Sequence, residues 1–154
     1  LVRSSVELST MKLVALLMTM LAVDHVSCVK ATVSGVLKCK QPFYAKIQLK
    51  EIDDWLYFRD DDFAEPLEFE QKNGQTEVHF QFTGEASDPF WFDGVEPKLV
   101  IKYSFYGSPV WICKKFGTIR EDFRLHEVVQ LDDPTDLKNK GYYLCTEEGK
   151  GKMA

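Results

Sequence analysis

The side chains able to do chemistry are few and scattered. There are four cysteines, Cys28, Cys39, Cys113 and Cys145, and three histidines, His25, His79 and His126. No Cys-x-x-Cys pair occurs and the three histidines are scattered, so no zinc or other metal site is expected. Asp53, Asp54, Asp60, Asp61, Asp62 and Glu65 offer the oxygen ligands a hard cation prefers. Their spacing lacks the central Gly and terminal Glu of an EF-hand loop, and they read as a solvated inter-strand loop. His79 alternates onto the outer face of its segment, away from the aromatics beside it. No Gly-x-Ser-x-Gly elbow, His-Glu-x-x-His pair or phosphate-binding glycine loop is present. General acid–base and nucleophilic catalysis need paired groups. With none paired in the sequence, no enzyme activity and no cofactor are expected.

Aromatic clusters are the stronger signal. Trp55, Tyr57 and Phe58 stand among the carboxylates of residues 53–65, and Phe90, Trp91 and Phe92 lie between Asp88 and Asp93 in a stretch rich in Gly, Pro, Ser and Asp. Loops run over the surface, so these six aromatics are candidate binding residues. The other reading is that they fold back and plug the ends of a small core.

Short extended segments must position these loops. Residues 31–39, ATVSGVLKC, place Val33, Gly35, Leu37 and Cys39 on one face. Residues 44–52 alternate cleanly, with Ala45, Ile47 and Leu49 on one side and Lys46, Gln48 and Lys50 on the other. Residues 67–71 and 76–83 flank Asn73-Gly74, the favoured hairpin dipeptide, because both residues tolerate positive φ. In the second of these segments Val78, Phe80 and Phe82 point inward. Residues 98–105 put Leu99, Ile101, Tyr103 and Phe105 on one face, and residues 110–119 continue after a Gly-Ser-Pro turn. Residues 121–131 fit a strand or a short helix equally. Asp132-Asp133-Pro134 marks a turn, 142–147 a last strand and 148–154 a loose tail. No long helical period and no internal repeat appears. The pattern predicts an all-β fold, a Greek-key β-sandwich of about seven strands.

The first methionine is Met11, and residues 1–10 read as sequence upstream of the initiator. Lys12, then LVALLMTMLAV at 13–23, then small residues give the order of a secretory leader, predicted as a cleaved signal peptide over 11–28. The apolar run is shorter than the ~20 residues that span a bilayer, so no transmembrane segment is expected. The domain is placed at 29–147. A secreted, extracellular location permits disulfides. The 154 residues suffice for one domain, and with 45% hydrophobic and 13% aromatic residues the chain can bury a real core. A net charge of -5 argues against a nucleic-acid partner and against electrostatic membrane anchoring.

Several of these segments together resemble the nematode transthyretin-like proteins, a secreted family with the transthyretin (prealbumin) sandwich. TVSGVLKC resembles the family's first strand, with Val33, Gly35, Leu37 and Cys39 matching its valine-glycine-leucine pattern. AKIQLKEIDD resembles its alternating strand and acidic loop, and NGQTEVHFQFTG its turn-strand-Gly segment. EPKLVIKY resembles its Asp-Pro-x-aliphatic-x-Ile-x-Tyr strand, with Glu96-Pro97 in place of Asp-Pro. Cys113-Lys114-Lys115 resembles its Cys-basic segment. The likeness spans roughly residues 32–120. It departs after Tyr103, where Ser104-Phe105-Tyr106 replaces the family's His-Asp-Cys, so the chain is read as a divergent member. The resemblance implies a disulfide between Cys39 and Cys113, leaving Cys145 as the odd cysteine. The same fold hosts a 5-hydroxyisourate hydrolase, but this chain has neither its first-strand His nor its C-terminal Tyr-Arg-Gly-Ser run.

The expected function is a secreted, non-enzymatic transthyretin-like binding module that engages an extracellular protein or a lipid surface through its loop aromatics. The alternative is a carrier of a small apolar ligand, and an oligomer is compatible with either.

Overall fold

The computed structural model describes residues 27–52, 62–70, 76–88, 94–105 and 107–146. Among the described residues eight strands and one short helix follow in order: β1 (Ser27–Lys38), β2 (Tyr44–Glu51), β3 (Leu67–Phe69), β4 (Glu77–Asp88), β5 (Pro97–Ser104), β6 (Val110–Lys115), β7 (Phe123–Gln130), α1 (Pro134–Asn139) and β8 (Tyr143–Leu144). They form a three-stranded sheet in the order β4-β1-β7 and a five-stranded sheet in the order β3-β2-β5-β6-β8. The fold is therefore all-β with two sheets. Among the described residues no helix is long and apolar enough to cross a membrane.

Alternation in the sequence becomes burial in the structure. In β2, Ala45, Ile47 and Leu49 are fully buried while their neighbours are half-exposed. They pack with Leu99 and Ile101 of β5, Ile112 of β6, Val33 and Leu37 of β1, and Val78, Phe80 and Phe82 of β4 in one core. Side chains of period two from both sheets thus close a single apolar layer.

β1 is the central strand of the smaller sheet. It runs antiparallel to β4 from Ser27 opposite Asp88 to Lys38 opposite Glu77, and parallel to β7 from Ala31 opposite Phe123 to Lys38 opposite Gln130. Ser27 and Cys28, which the sequence reading assigns to the end of the leader, are the first rungs of this strand. A Cβ at Gly35 would collide with the Glu127 carbonyl oxygen and the Phe80 ring, so only glycine lets β1 lie this close to both.

The ambiguous 121–131 segment resolves as a strand. Its inward positions are Phe123, Leu125, Glu127 and Val129, so one carboxylate interrupts the apolar run and blurs the pattern. The Asp132-Asp133-Pro134 turn opens α1. Asp133 caps it by accepting from the Thr135 and Asp136 amides at 2.9 and 3.0 Å, and Pro134 takes the first helical position, where no amide partner is needed. Gly141 ends it with a φ of +82°, which returns the chain toward β8.

The cysteine pairing differs from the one the family resemblance implies. Cys113 is bonded to Cys145, with Cα atoms 6.0 Å apart, and Cys39 and Cys28 are free thiols. The reason lies in the pleat. Cys39 belongs to the inter-sheet core, whereas Cys113 of β6 points to the other side of its sheet and packs with Val100 and Cys145. Residues on opposite faces of a strand layer cannot be bridged. Cys145 is therefore Cys113's partner rather than the odd cysteine.

Candidate functional site

The six aromatics singled out from the sequence, Trp55, Tyr57, Phe58, Phe90, Trp91 and Phe92, lie outside the described residues, as does the Asn73-Gly74 turn. The described residues that flank them are informative. Glu51, at the end of β2, stands opposite Pro97, at the start of β5, and the Ile52 amide donates to the Glu96 carbonyl at 3.0 Å. Asp62 returns to form a bridge beside Lys50, and the Phe63 amide donates to the Leu49 carbonyl at 2.9 Å. Asp88 stands opposite Ser27. The described flanks Ile52, Asp62 and Glu96 thus lie together at one end of the five-stranded sheet. Val95 pairs with Ile119 at this end as well.

Three further constellations are built from described residues. Ser34 of β1 and His126 of β7 stand 3.1 Å apart (Oγ to Nδ1) on the outer face of the three-stranded sheet. A serine beside an imidazole suggests a nucleophile and its base. The surroundings do not support that chemistry. Ser34 sits in the central strand, with its backbone committed to ladders on both sides, so no amide is left as an oxyanion donor. Among the described residues no carboxylate orients His126. His79, where alternation places it, is exposed and 2.8 Å from Glu77.

The second constellation joins the two sheets. Glu127 of β7 accepts from Lys114 Nζ of β6 at 2.7 Å and from the Tyr142 hydroxyl at 3.2 Å. Lys114 lies over the rings of Phe116 and Tyr142, each 5.4 Å away. Burial, and then the Glu127 charge, push the Tyr142 hydroxyl far above its ordinary range, so it stays protonated and acts only as a donor. Both carboxylate oxygens are thereby satisfied, which makes the group a clasp with no free base. Nothing in the sequence pattern points to it, because Lys114, Glu127 and Tyr142 come from three separate parts of the chain.

The third lies on the side of the five-stranded sheet turned away from the core. Strand register lines up Lys46, Lys102 and Trp111 in one row, Gln48, Val100 and Cys113 in the next, and Lys50, Lys98 and Lys115 in a third. Like charges stand directly opposite each other at Lys46–Lys102, Lys50–Lys98 and Lys98–Lys115, an arrangement that destabilises a sheet by roughly 0.2–1 kcal/mol per pair. Glu68 meets Lys46 at 2.7 Å and Asp62 meets Lys50 at 3.7 Å. Lys102 lies 5.0 Å above the Trp111 ring. Alternation in β2 showed Lys46 and Lys50 on this face from the sequence alone, but lining them up with Lys98, Lys102 and Lys115 required the register.

Among the described residues no group of three His, Cys, Asp or Glu side chains is placed to hold a metal ion. Burial raises the Cys39 thiol above its ordinary range, which makes it a poor nucleophile. Comparison with protein-family models, with curated proteins and with solved structures finds no match for this chain.

Proposed function

We propose that the chain is a secreted, non-enzymatic binding module built on a divergent transthyretin-like Greek-key sandwich, and that it engages an extracellular protein or a lipid surface through Trp55, Tyr57, Phe58, Phe90, Trp91 and Phe92. The observation that carries this reading is the placement of the described flanks. Glu51, which precedes one aromatic segment in the chain, stands opposite Pro97, which follows the other. Aromatic side chains near one another are what a binding surface needs. The transthyretin-like part is supported by two facing sheets between which successive strands are shared. The cysteine pairing lends it no support, since Cys39 is a free thiol. The interior is filled by Phe43, Leu37, Ile47, Leu49, Leu99 and Ile101, all fully buried, which weighs toward a surface binder over a carrier of an enclosed ligand.

The test is thermal melting of full-chain Trp55→Ala and Trp91→Ala variants, together with flotation on neutral and anionic vesicles. A surface role gives stability changes within about 0.5 kcal/mol and loss of partner or vesicle binding. Losses of about 3–5 kcal/mol, the range for a buried large aromatic, would sink the proposal.

A further inference from the structure

We propose that the Cys113–Cys145 disulfide is a redox latch: a small dithiol reductant opens it, β8 leaves the sheet, and the two-sheet core stays folded. The bond lies apart from the main core. Val100, Cys113 and Cys145, all fully buried, form a cluster of their own on the outer side of the five-stranded sheet, with Trp111 and Tyr143 packed against it. Breaking the bond therefore removes no side chain from the layer between the sheets.

The strand that the bond holds is short and peripheral. β8 has two residues and lies at the edge of its sheet, with Tyr143 opposite Cys113 and Leu144 opposite Ile112 of β6. The Cys145 amide adds a bond to the Trp111 carbonyl at 3.1 Å. Leu144 is 57% exposed and so buries little apolar surface. Strand pairing this short is marginal in water by itself. The residue just before it is anchored differently. Tyr142 belongs to the main core, donates to Glu127, and its amide donates to the Leu137 carbonyl at 2.9 Å. The boundary between what leaves and what stays thus falls between Tyr142 and Tyr143. Local opening at such an edge gives the reductant its access to the covered sulfurs.

One thiolate of the dithiol attacks Cys145 Sγ, which is on the edge segment. The protein S–S bond breaks, and its electron pair goes to Cys113 Sγ, which takes up a proton. The second thiol of the reductant loses its proton and attacks the reductant sulfur bonded to Cys145. That closes the reductant's own disulfide and releases Cys145, which takes up a proton in turn. The protein gains two electrons and two protons, and the dithiol is oxidised to its cyclic disulfide. Opening uncovers the Cys113 thiol and Val100 on a face that is closed in the oxidised protein.

The test treats the full-length protein with dithiothreitol in the absence of denaturant, alkylates it with iodoacetamide and maps the peptides. Cys39, a buried free thiol of the main core, reports whether that core has opened. Cys113 and Cys145 are expected to react about tenfold faster than Cys39 or more, and the reduced protein to melt cooperatively at a lower temperature than the oxidised one. Equal rates at all three cysteines would mean that the bond opens only with the whole fold, and would overturn the proposal. A disulfide that resists until denaturant is added would overturn it too. So would a reduced protein whose Cys145 amide exchanges hydrogen as slowly as in the oxidised one, since β8 would then hold by pairing alone.

Discussion

Lys114 of β6 and Glu127 of β7 meet across the seam of the sandwich, with Nζ 2.7 Å from Oε1 and both side chains mostly buried. This is a polar link between sheets that are otherwise joined by apolar packing. Its partners come from positions where alternation would put apolar residues.

Removing one partner should therefore hurt more than removing both. Glu127→Ala leaves a buried ammonium and the Tyr142 hydroxyl without their acceptor, and a loss of about 2–4 kcal/mol is expected in urea denaturation. Lys114→Met combined with Glu127→Leu should recover most of that loss. A double variant as unstable as the sum of the singles would show that the pair is not energetically coupled.

Tyr142 makes alkaline stability a second readout. Its hydroxyl titrates higher in the folded chain than the ordinary phenol value of about 10 that serves for the unfolded one. Its contribution is thus fully present below pH ~10 and is lost as pH rises beyond that value. Tyr142→Phe is expected to flatten the fall in stability above pH ~10, the onset set by the unfolded value. An unchanged slope in that variant would show that another group carries the effect.

The strands were legible in the sequence wherever apolar residues alternate without interruption. Ala45, Ile47 and Leu49 give β2, and Val78, Phe80 and Phe82 give β4. β7 was not decidable because Glu127 occupies an inward position, and the reason for that carboxylate is the clasp, which only tertiary structure reveals. The disulfide was misassigned for a related reason. Cys39 directly follows β1 and Cys113 lies in β6, but facing is set by each strand's own pleat and sheet, and Cys145 follows a helix that no long apolar period announces. The lysine face was half visible, since alternation sorts residues within a strand while register between strands sorts them into rows.

Peptide mapping without reduction should recover Cys113 linked to Cys145. Alkylation of the folded, uncleaved chain should reach Cys28, which is exposed, and spare Cys39 until the chain is unfolded. With the bridged positions separated by 32 in sequence, Cys145→Ser is expected to cost about 3–4 kcal/mol in the chain-entropy model. A Cys39–Cys113 peptide in the digest would contradict the structure.

Gly35→Ala is expected to destabilise the protein by about 1–3 kcal/mol, because the added methyl meets the Glu127 carbonyl and the Phe80 ring and β7 must shift to admit it. Since β7 also carries the clasp, this variant should raise the exposure of Tyr142, visible as an altered near-ultraviolet spectrum. A melting temperature equal to the parent's would mean that β1 and β7 lie further apart than described.

The parallel pairing of β1 with β7 also sets the order in which the molecule is made. Ser34 and His126, partners on adjacent strands, are 92 residues apart in the chain. During synthesis the first strand emerges long before its second neighbour exists, and its β7 edge stays unpaired until residue 130 is out. Contacts this distant impose a slow search, on the millisecond-to-second scale typical of β-sandwiches. The three-stranded sheet cannot be completed before then, and the nascent chain needs shelter from self-association in the interval.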